Sequence, residues 1–183
     1  MVSVICLLSL YLYWYIIVQI YYKAIEVMKT ELLDQLKAPF PAADHQDRTL
    51  PGGGKWFFIP WQRIRKRLNE VCPDWSVSYS DPVIVGEYVV VRCQLTLDGL
   101  TREGVGNDKA YPEKQTYGTP IERAIADAFK NAAEQFGVGA YLDNQEFVIK
   151  HMQKQGDGRA YAYSDMRQQI RTQKNRQPLK KAG

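Results

Sequence analysis

The sequence predicts an α+β domain, in which an antiparallel β-meander packs against one long helix in the order β-α-β-β-β-α. Apolar residues recur at every second position in residues 75–79 and 89–97, but at helical spacing from residue 121 to residue 136. Between these two patterns stands Asp98-Gly99, a strong signal for a tight turn between antiparallel strands. Strands grouped before a helix in this way are typical of the α+β class.

The chain opens on an apolar segment, since residues 1–22 contain no charged side chain. As a helix this segment is long enough to cross a bilayer, with Trp14 near an interface. Alternatively, translation starts at Met28, where the sequence becomes typical of a soluble protein, and residues 1–27 are an upstream extension. Both interpretations stay open at this point. The first would make the protein a membrane-anchored interaction module, and the second favours the cytoplasm or nucleoid.

The next elements are set by prolines and glycines. Residues 29–36 predict a short helix that Pro39 and Pro41 stop. Residues 44–54 are polar and rich in glycine and proline, so a loop is expected there. The aromatic run at residues 55–59 predicts a short strand.

A helix is predicted from Pro60 to about Val71, because apolar residues recur there at helical spacing. Its inward face carries Trp61, Ile64, Leu68 and Val71, and Pro73 ends it. Three strands are expected next: the first from Trp75 to Tyr79, the second up to Leu97, and the third after the Asp98-Gly99 turn.

The long helix is marked at both of its ends. Thr119 is a suitable N-cap, Pro120 suits the first helical position, and Glu122 completes a capping box. Gly137 is suited to a left-handed cap at the other end. A helix after Leu142 is predicted to reach Gln155.

Charge divides the chain into three parts. Residues 1–27 form the apolar extension, and residues 28–149 form the predicted domain with 14 Lys/Arg against 17 Asp/Glu. Residues 150–183 carry 9 Lys/Arg against 2 Asp/Glu, which predicts a basic flexible tail. Such a tail favours a polyanionic partner, although basic tails are often only solubilising.

Neither an enzyme nor a metal protein is predicted. Three widely spaced cysteines and two histidines form no zinc pattern. Glu103, Asp108 and Glu113 are close in sequence, but acids scattered over loops are usually solvated, so no metal or cofactor is expected. Gly52-Gly53-Gly54-Lys55 lacks the spacing and the following Ser/Thr of a P-loop.

Basic and aromatic residues interleave from residue 55 to residue 67, which suits single-stranded nucleic acid. Cations neutralise phosphates, and aromatic rings stack on bases. The competing interpretation is a core of aromatic residues beside a solvated basic face; it is favoured for Trp61, which lies on the apolar stripe.

With these residues in view, the chain resembles the Rad52 family of single-strand DNA annealing proteins from about Leu36 to Asp143. The resemblance depends on the order of four motifs. They are the glycines and lysine before an aromatic strand, Arg63-Ile64 in the next helix, Asp98-Gly99 leading to Glu103-x-Val105-Gly106, and the helix Glu122-Arg123-Ala124 … Asp127-Ala128-Phe129-Lys130 … Phe136-Gly137.

The resemblance implies a DNA repair and recombination protein without enzymatic activity that assembles into a homo-oligomeric ring. In that family single-stranded DNA lies in a basic groove around the ring, and complementary strands anneal there. Single-stranded DNA is therefore the expected partner, with double-stranded DNA, a recombinase or a single-strand-binding protein as further candidates.

By position, Lys55, Phe58 and Lys130 correspond to family residues at the groove. The predicted DNA-binding set adds the other basic residues of the motif regions; in full it is Lys55, Phe58, Arg63, Lys66, Arg67, Arg102, Lys109, Lys114 and Lys130. Asn131 and Glu134 depart from the family, which has basic residues at these two positions. The basic residue that the family has just before the glycines is displaced here to Arg48. A weaker or differently placed groove is the consequence.

Overall fold

The structure is a computed structural model that describes residues 2–50, 54–113 and 118–163. It confirms the α+β class. The helices are α1 (Val2–Lys37), α2 (Trp61–Val71), α3 (Pro120–Glu134) and α4 (Gln145–Lys154). The strands are β1 (Gln46–Thr49), β2 (Lys55–Phe58), β3 (Ser76–Tyr79), β4 (Val83–Val85), β5 (Tyr88–Leu97) and β6 (Leu100–Lys109). Short 3₁₀ turns lie at Ala42–Asp44 and Ala140–Asp143, and residues 158–163 are helical.

The larger sheet is an antiparallel meander centred on β5. Along its whole length β5 pairs with β6, while β3 and β4 pair in turn with its other edge as one interrupted strand. Asp98 and Gly99 both have positive φ, of 48° and 74°, which is the type I′ turn that this dipeptide predicts. Because successive side chains alternate, the inner face of β5 buries Val89, Val91, Cys93, Leu95 and Leu97.

Helix α3 packs on the inner face of this sheet and approaches the backbone of β6 very closely. Gly104 and Gly106 make the approach possible, since a Cβ on either would collide with the backbone of α3 near Ala128. The side-chain amide of Asn131 donates a 2.6 Å hydrogen bond to the carbonyl of Val105, so helix and strand are also bonded. The glycine of the Glu103-x-Val105-Gly106 motif therefore has a packing role.

Both ends of α3 confirm the sequence prediction. The Thr119 hydroxyl accepts a 3.2 Å hydrogen bond from the amide of Glu122, whose carboxylate accepts one of 2.7 Å from the amide of Thr119. Gly137 has a φ of 87°, in the left-handed region. This capping box satisfies amides that no helical carbonyl reaches, and it holds the beginning of α3 in place.

The region before the glycine loop differs from the prediction. Residues 46–49 belong to β1, which pairs with β2 as an antiparallel hairpin, where the sequence predicted only a loop. The expected helix at residues 29–36 is the end of the much longer α1. None of the helices among the described residues combines the length and apolar character needed to cross a membrane.

Among the described residues two large apolar clusters stabilise the domain, beside a small third cluster of Val89, Val91 and Ala124. The larger lies between α3, α2 and the sheet, and it contains Leu68, Leu95 and Phe129. The smaller lies between the hairpin and α4, around Phe57, Val148 and Met152. Together they fix the hairpin at one side of α3.

Candidate nucleic-acid interface

A cleft of about 510 Å³ runs between the β1–β2 hairpin and the outer side of α3. Phe58 enters it from the hairpin and Lys130 from α3, although 72 positions separate them in sequence. The other lining residues come from the hairpin, the start of α2 and the start of α3: Gln46, Ile59, Pro60, Trp61, Gln62, Gly118, Glu122, Arg123 and Ala126. An aromatic ring and an ammonium group thus face the same open groove.

The hairpin determines which side chains reach this cleft. In its register Gln46 is opposite Phe58 and Arg48 is opposite Trp56. Because side chains alternate along a strand, these four share one face of the hairpin. Gln46 and Phe58 of this face line the cleft. Arg48 is exposed and Trp56 half-buried, so a cation and an indole ring extend the interface beyond Phe58.

Lys55 lies on the opposite face of the same hairpin. Its ammonium group forms an ion pair with Asp47, and both line a separate cavity of about 240 Å³ beside Arg159 and Tyr163. The structure therefore does not bring Lys55 together with Lys130. Arg48 and Trp56, rather than Lys55, share the hairpin face of Phe58, and this follows only from the register of β1 against β2.

In the part of the chain that the structure describes, the two cations that line the cleft are both paired with acids. Lys130 Nζ lies 3.3 Å from Asp127 Oδ1, one helical turn before it. Arg123 forms an ion pair with Asp108 of β6 and donates a 2.7 Å hydrogen bond to the carbonyl of Gly118. These pairs position the cations, but they also make the cleft nearly neutral.

A carboxylate also stands at the cleft, on Glu122. The hydrogen bonds from Thr119 lower the pKa of Glu122, which therefore stays charged at neutral pH. Asn131 and Glu134, the two departures from the family pattern, do not line the cleft. Asn131 bonds the sheet, whereas burial and the neighbouring Asp143 raise the pKa of Glu134.

The basic residues of α2 are held by the protein itself. Arg63 Nε lies 3.2 Å from Asp44 Oδ1, and Lys66 Nζ lies 3.8 Å from Glu70 Oε1. Arg67 donates hydrogen bonds to the carbonyls of Leu36, Ala38 and Pro39, and its guanidinium carbon lies 3.5 Å from the centre of the Phe40 ring.

Burial lowers the pKa of Arg67, as expected for a cation that has left water. Its contacts tie α2 to the residues that follow α1, where helix carbonyls lack helical partners. Arg67 therefore has a structural role in the domain, and DNA binding by it stays a prediction.

The remaining predicted residues are dispersed. Arg102 is opposite Leu95 and belongs to the face of the sheet that carries α3, whereas Lys109 is opposite Tyr88 on the other face. Lys114 lies outside the described residues, as do residues 164–183 of the predicted tail, whereas most of residues 150–163 are helical.

The three acids considered as metal ligands do not come together. Gln94 donates a 2.7 Å hydrogen bond to Glu103 on the outer face of the sheet, while Asp108 points to the α3 side and pairs with Arg123. Within the ranges that the structure describes, no cluster of three or more potential metal ligands occurs.

Comparison with known proteins gives a consistent result. Residues 29–160 match the Rad52/22 family of double-strand break repair proteins. The mitochondrial DNA repair RAD52-like protein 1 of Arabidopsis thaliana is 29% identical over 125 residues, which cover 63% of this chain and 68% of that protein. The single-stranded DNA-binding protein DdrA of Deinococcus radiodurans is 33% identical over 123 residues, 62% of this chain and 55% of that protein.

DdrA of Deinococcus deserti is 34% identical over 123 residues, which cover 62% of this chain and 57% of that protein. The chain thus spans a little more than half the length of the two bacterial relatives.

Proposed function

Since the chain belongs to the Rad52/22 family of double-strand break repair proteins, we propose that it binds single-stranded DNA and anneals complementary strands in recombinational repair. The observation that supports this most directly is the meeting of Phe58 and Lys130 in one open cleft. A cation for phosphate and a ring for a base are the two groups that binding of a single strand requires.

The track of the strand follows from the hairpin. Phosphates contact Lys130 on α3 and Arg48 on the hairpin, and bases stack on Phe58 and Trp56 between them. Because stacking tolerates every base and phosphates are common to all sequences, binding is independent of sequence, as annealing of arbitrary strands requires. No chemical step is needed, since pairing is favourable once repulsion between phosphates is reduced.

Assembly into a homo-oligomeric ring is part of this proposal. Among the described residues, β6 and the interrupted strand β3–β4 each pair only with β5, so both outer edges of the sheet lie open. Val83, Ile84 and Val85 are exposed on one of these edges. Open edges with apolar side chains pair readily with another copy, and a closed ring satisfies both edges of every protomer.

A strand-annealing assay tests the function. Two complementary oligonucleotides carry a donor and an acceptor dye, and energy transfer is followed with and without the full chain. The chain is expected to accelerate annealing, and binding is expected to weaken with salt with a slope of about −0.7 per phosphate neutralised. Failure to exceed the rate without protein would refute the proposal.

The Lys130→Glu variant locates the activity in the cleft. Reversing this charge is expected to weaken binding by about tenfold or more, because an attraction to phosphate becomes a repulsion. Lys150→Glu is the matched control: Lys150 is exposed on α4, is also paired with an acid, Glu146, and does not line the cleft. Equal losses in both variants would indicate a general effect of charge and would place the groove elsewhere.

A further inference from the structure

A second cavity, of about 440 Å³, lies on the other side of the wall that bounds the cleft. It has an unusual concentration of rings, from Trp61, Trp75, Tyr79 and Phe129. The rest of its lining is Arg65, Val77, Glu122, Ile125 and Ala126. Its volume and aromatic lining are typical of sites for small planar ligands.

The cavity and the cleft are neighbours. Trp61, Glu122 and Ala126 line both, so a single layer of side chains separates them. A strand whose phosphates lie in the cleft therefore runs beside the cavity. Of the groups of such a strand, only one that points away from the phosphate backbone can enter the cavity.

Charge at the mouth favours a neutral group inside. The carboxylate of Glu122 in the shared wall repels phosphate. Arg65 lies over the face of Trp61, with its guanidinium carbon 5.2 Å from the ring centre, and is exposed to a phosphate outside. Inside, Phe129 contacts Trp61 edge-on at 6.4 Å and Trp75 at 5.9 Å between ring centres.

We propose that this aromatic cavity accepts one base of the single strand bound by each protomer. A base is the part of DNA that is flat, uncharged and able to stack on aromatic rings. The inference rests on the proposed function and adds to it: each protomer withdraws one base from pairing and so fixes the position of the strand along the protein.

Tyr79 provides the test, because it is 41% exposed and forms one side of the cavity. Affinity of the full chain is measured for two oligonucleotides of equal length, oligothymidine and its abasic counterpart, which keeps every phosphate. Tyr79→Ala is expected to weaken oligothymidine binding by about fivefold or more, the lower end of base–aromatic stacking, without changing the abasic affinity. Tyr79→Phe keeps the ring and is expected to bind like the parent chain.

The matched control is Tyr88→Ala, since Tyr88 is 43% exposed but lies on the other face of the sheet. Equal effects of the two alanine variants would overturn the inference. The inference would also be overturned if Tyr79→Ala, but not Tyr88→Ala, changed the size of the oligomer in the absence of DNA. The cavity would then hold a side chain of a second copy of the chain. Absence of binding to either oligonucleotide would instead refute the proposed function itself.

Discussion

Replacing Asp127 by asparagine is expected to tighten binding of single-stranded DNA, because this carboxylate competes with phosphate for Lys130. The two charged atoms are 3.3 Å apart, and the side chains of Lys130 and Asp127 are 41% and 37% exposed. A pair as exposed as this contributes at most about 1 kcal/mol to the free energy of unfolding. Asp127→Asn is therefore expected to fold like the parent chain.

The size of the gain follows from the charges. Two unit charges about 4 Å apart interact with about 1 kcal/mol in a medium like water, so removing one repulsion at the phosphate predicts a Kd lower by about fivefold. In the parent chain the Asp127 carboxylate that Lys130 leaves takes up a cation, which offsets one cation released from the strand; without that carboxylate the slope of log affinity against log salt is expected to steepen by about 0.7. Both effects should appear together.

Fluorescence anisotropy of a labelled oligothymidine, measured at several salt concentrations, gives the affinity and the slope. Glu146→Gln is the control, because it also removes one negative charge from an ion pair on a helix, but on α4. Equal gains in both variants would show an effect of net charge only. An unchanged affinity and slope in Asp127→Asn would refute the placement of phosphate at Lys130.

Two further predictions concern the domain rather than the cleft. Arg67→Ala is expected to lower the free energy of unfolding, measured in urea, by about 2 kcal/mol, because three backbone carbonyls lose a charged donor. Weaker DNA binding at unchanged stability would instead assign Arg67 to the interface. Stability is also expected to fall as the pH drops below about 6.5, because burial lowers the pKa of His45 and the unfolded chain takes up the proton first. His45→Gln should flatten this fall in a thermal melt, and an unchanged pH profile would assign it to other groups.

The pH prediction has a structural basis in the bonds of His45. Its Nδ1 lies 3.0 Å from the carbonyl of Pro41, which only accepts, so this nitrogen carries the hydrogen. Its Nε2 then accepts from the hydroxyl of Tyr141 at 2.9 Å. A proton on Nε2 would remove this acceptor and break the bond from Tyr141. The positive charge on His45 would also be repelled by the nearby His151 and Arg159. Asp157, which is paired with Arg159, would attract that charge only weakly.

Elements specified by local chemistry could be predicted from the sequence. The capping box of α3 depends on three neighbouring residues, Thr119, Pro120 and Glu122, and the turn at Asp98-Gly99 on two. In each case the backbone conformation follows from side chains within one turn of chain. Gly106 belongs to a motif of the sequence, but its role in the approach of α3, and the same role of Gly104, follow only from the packed domain.

Strand β1 could not be predicted in the same way. Gln46 to Thr49 are polar, and nothing within them favours a strand; they become one because β2 lies opposite. Without β1 the sequence does not show which side chains share a face of the hairpin, because the two faces follow from the register of β1 and β2. The position after the glycines predicts Lys55 for the site, whereas Arg48 and Trp56 share the face of Phe58.

The cations of the site are visible in the sequence, whereas most of the carboxylates that pair with them are not. Asp127 stands three positions before Lys130 and was readable, but Asp108 of β6 and Asp44 before the hairpin reach Arg123 and Arg63 only through the fold. In the proposed function, a cation paired in this way has to exchange a carboxylate for a phosphate. The exchange lowers the affinity of each contact and keeps it reversible.

Reversibility is what annealing requires of the proposed groove. A protein that held every phosphate tightly would stabilise single strands and retain them, because the bound strand would gain less by pairing. In the proposed function, paired cations such as Lys130 with Asp127 would instead bind a strand through many weak contacts, from which the annealed duplex is released readily. If this is correct, Asp127→Asn should bind single strands more tightly and yet release the annealed duplex more slowly.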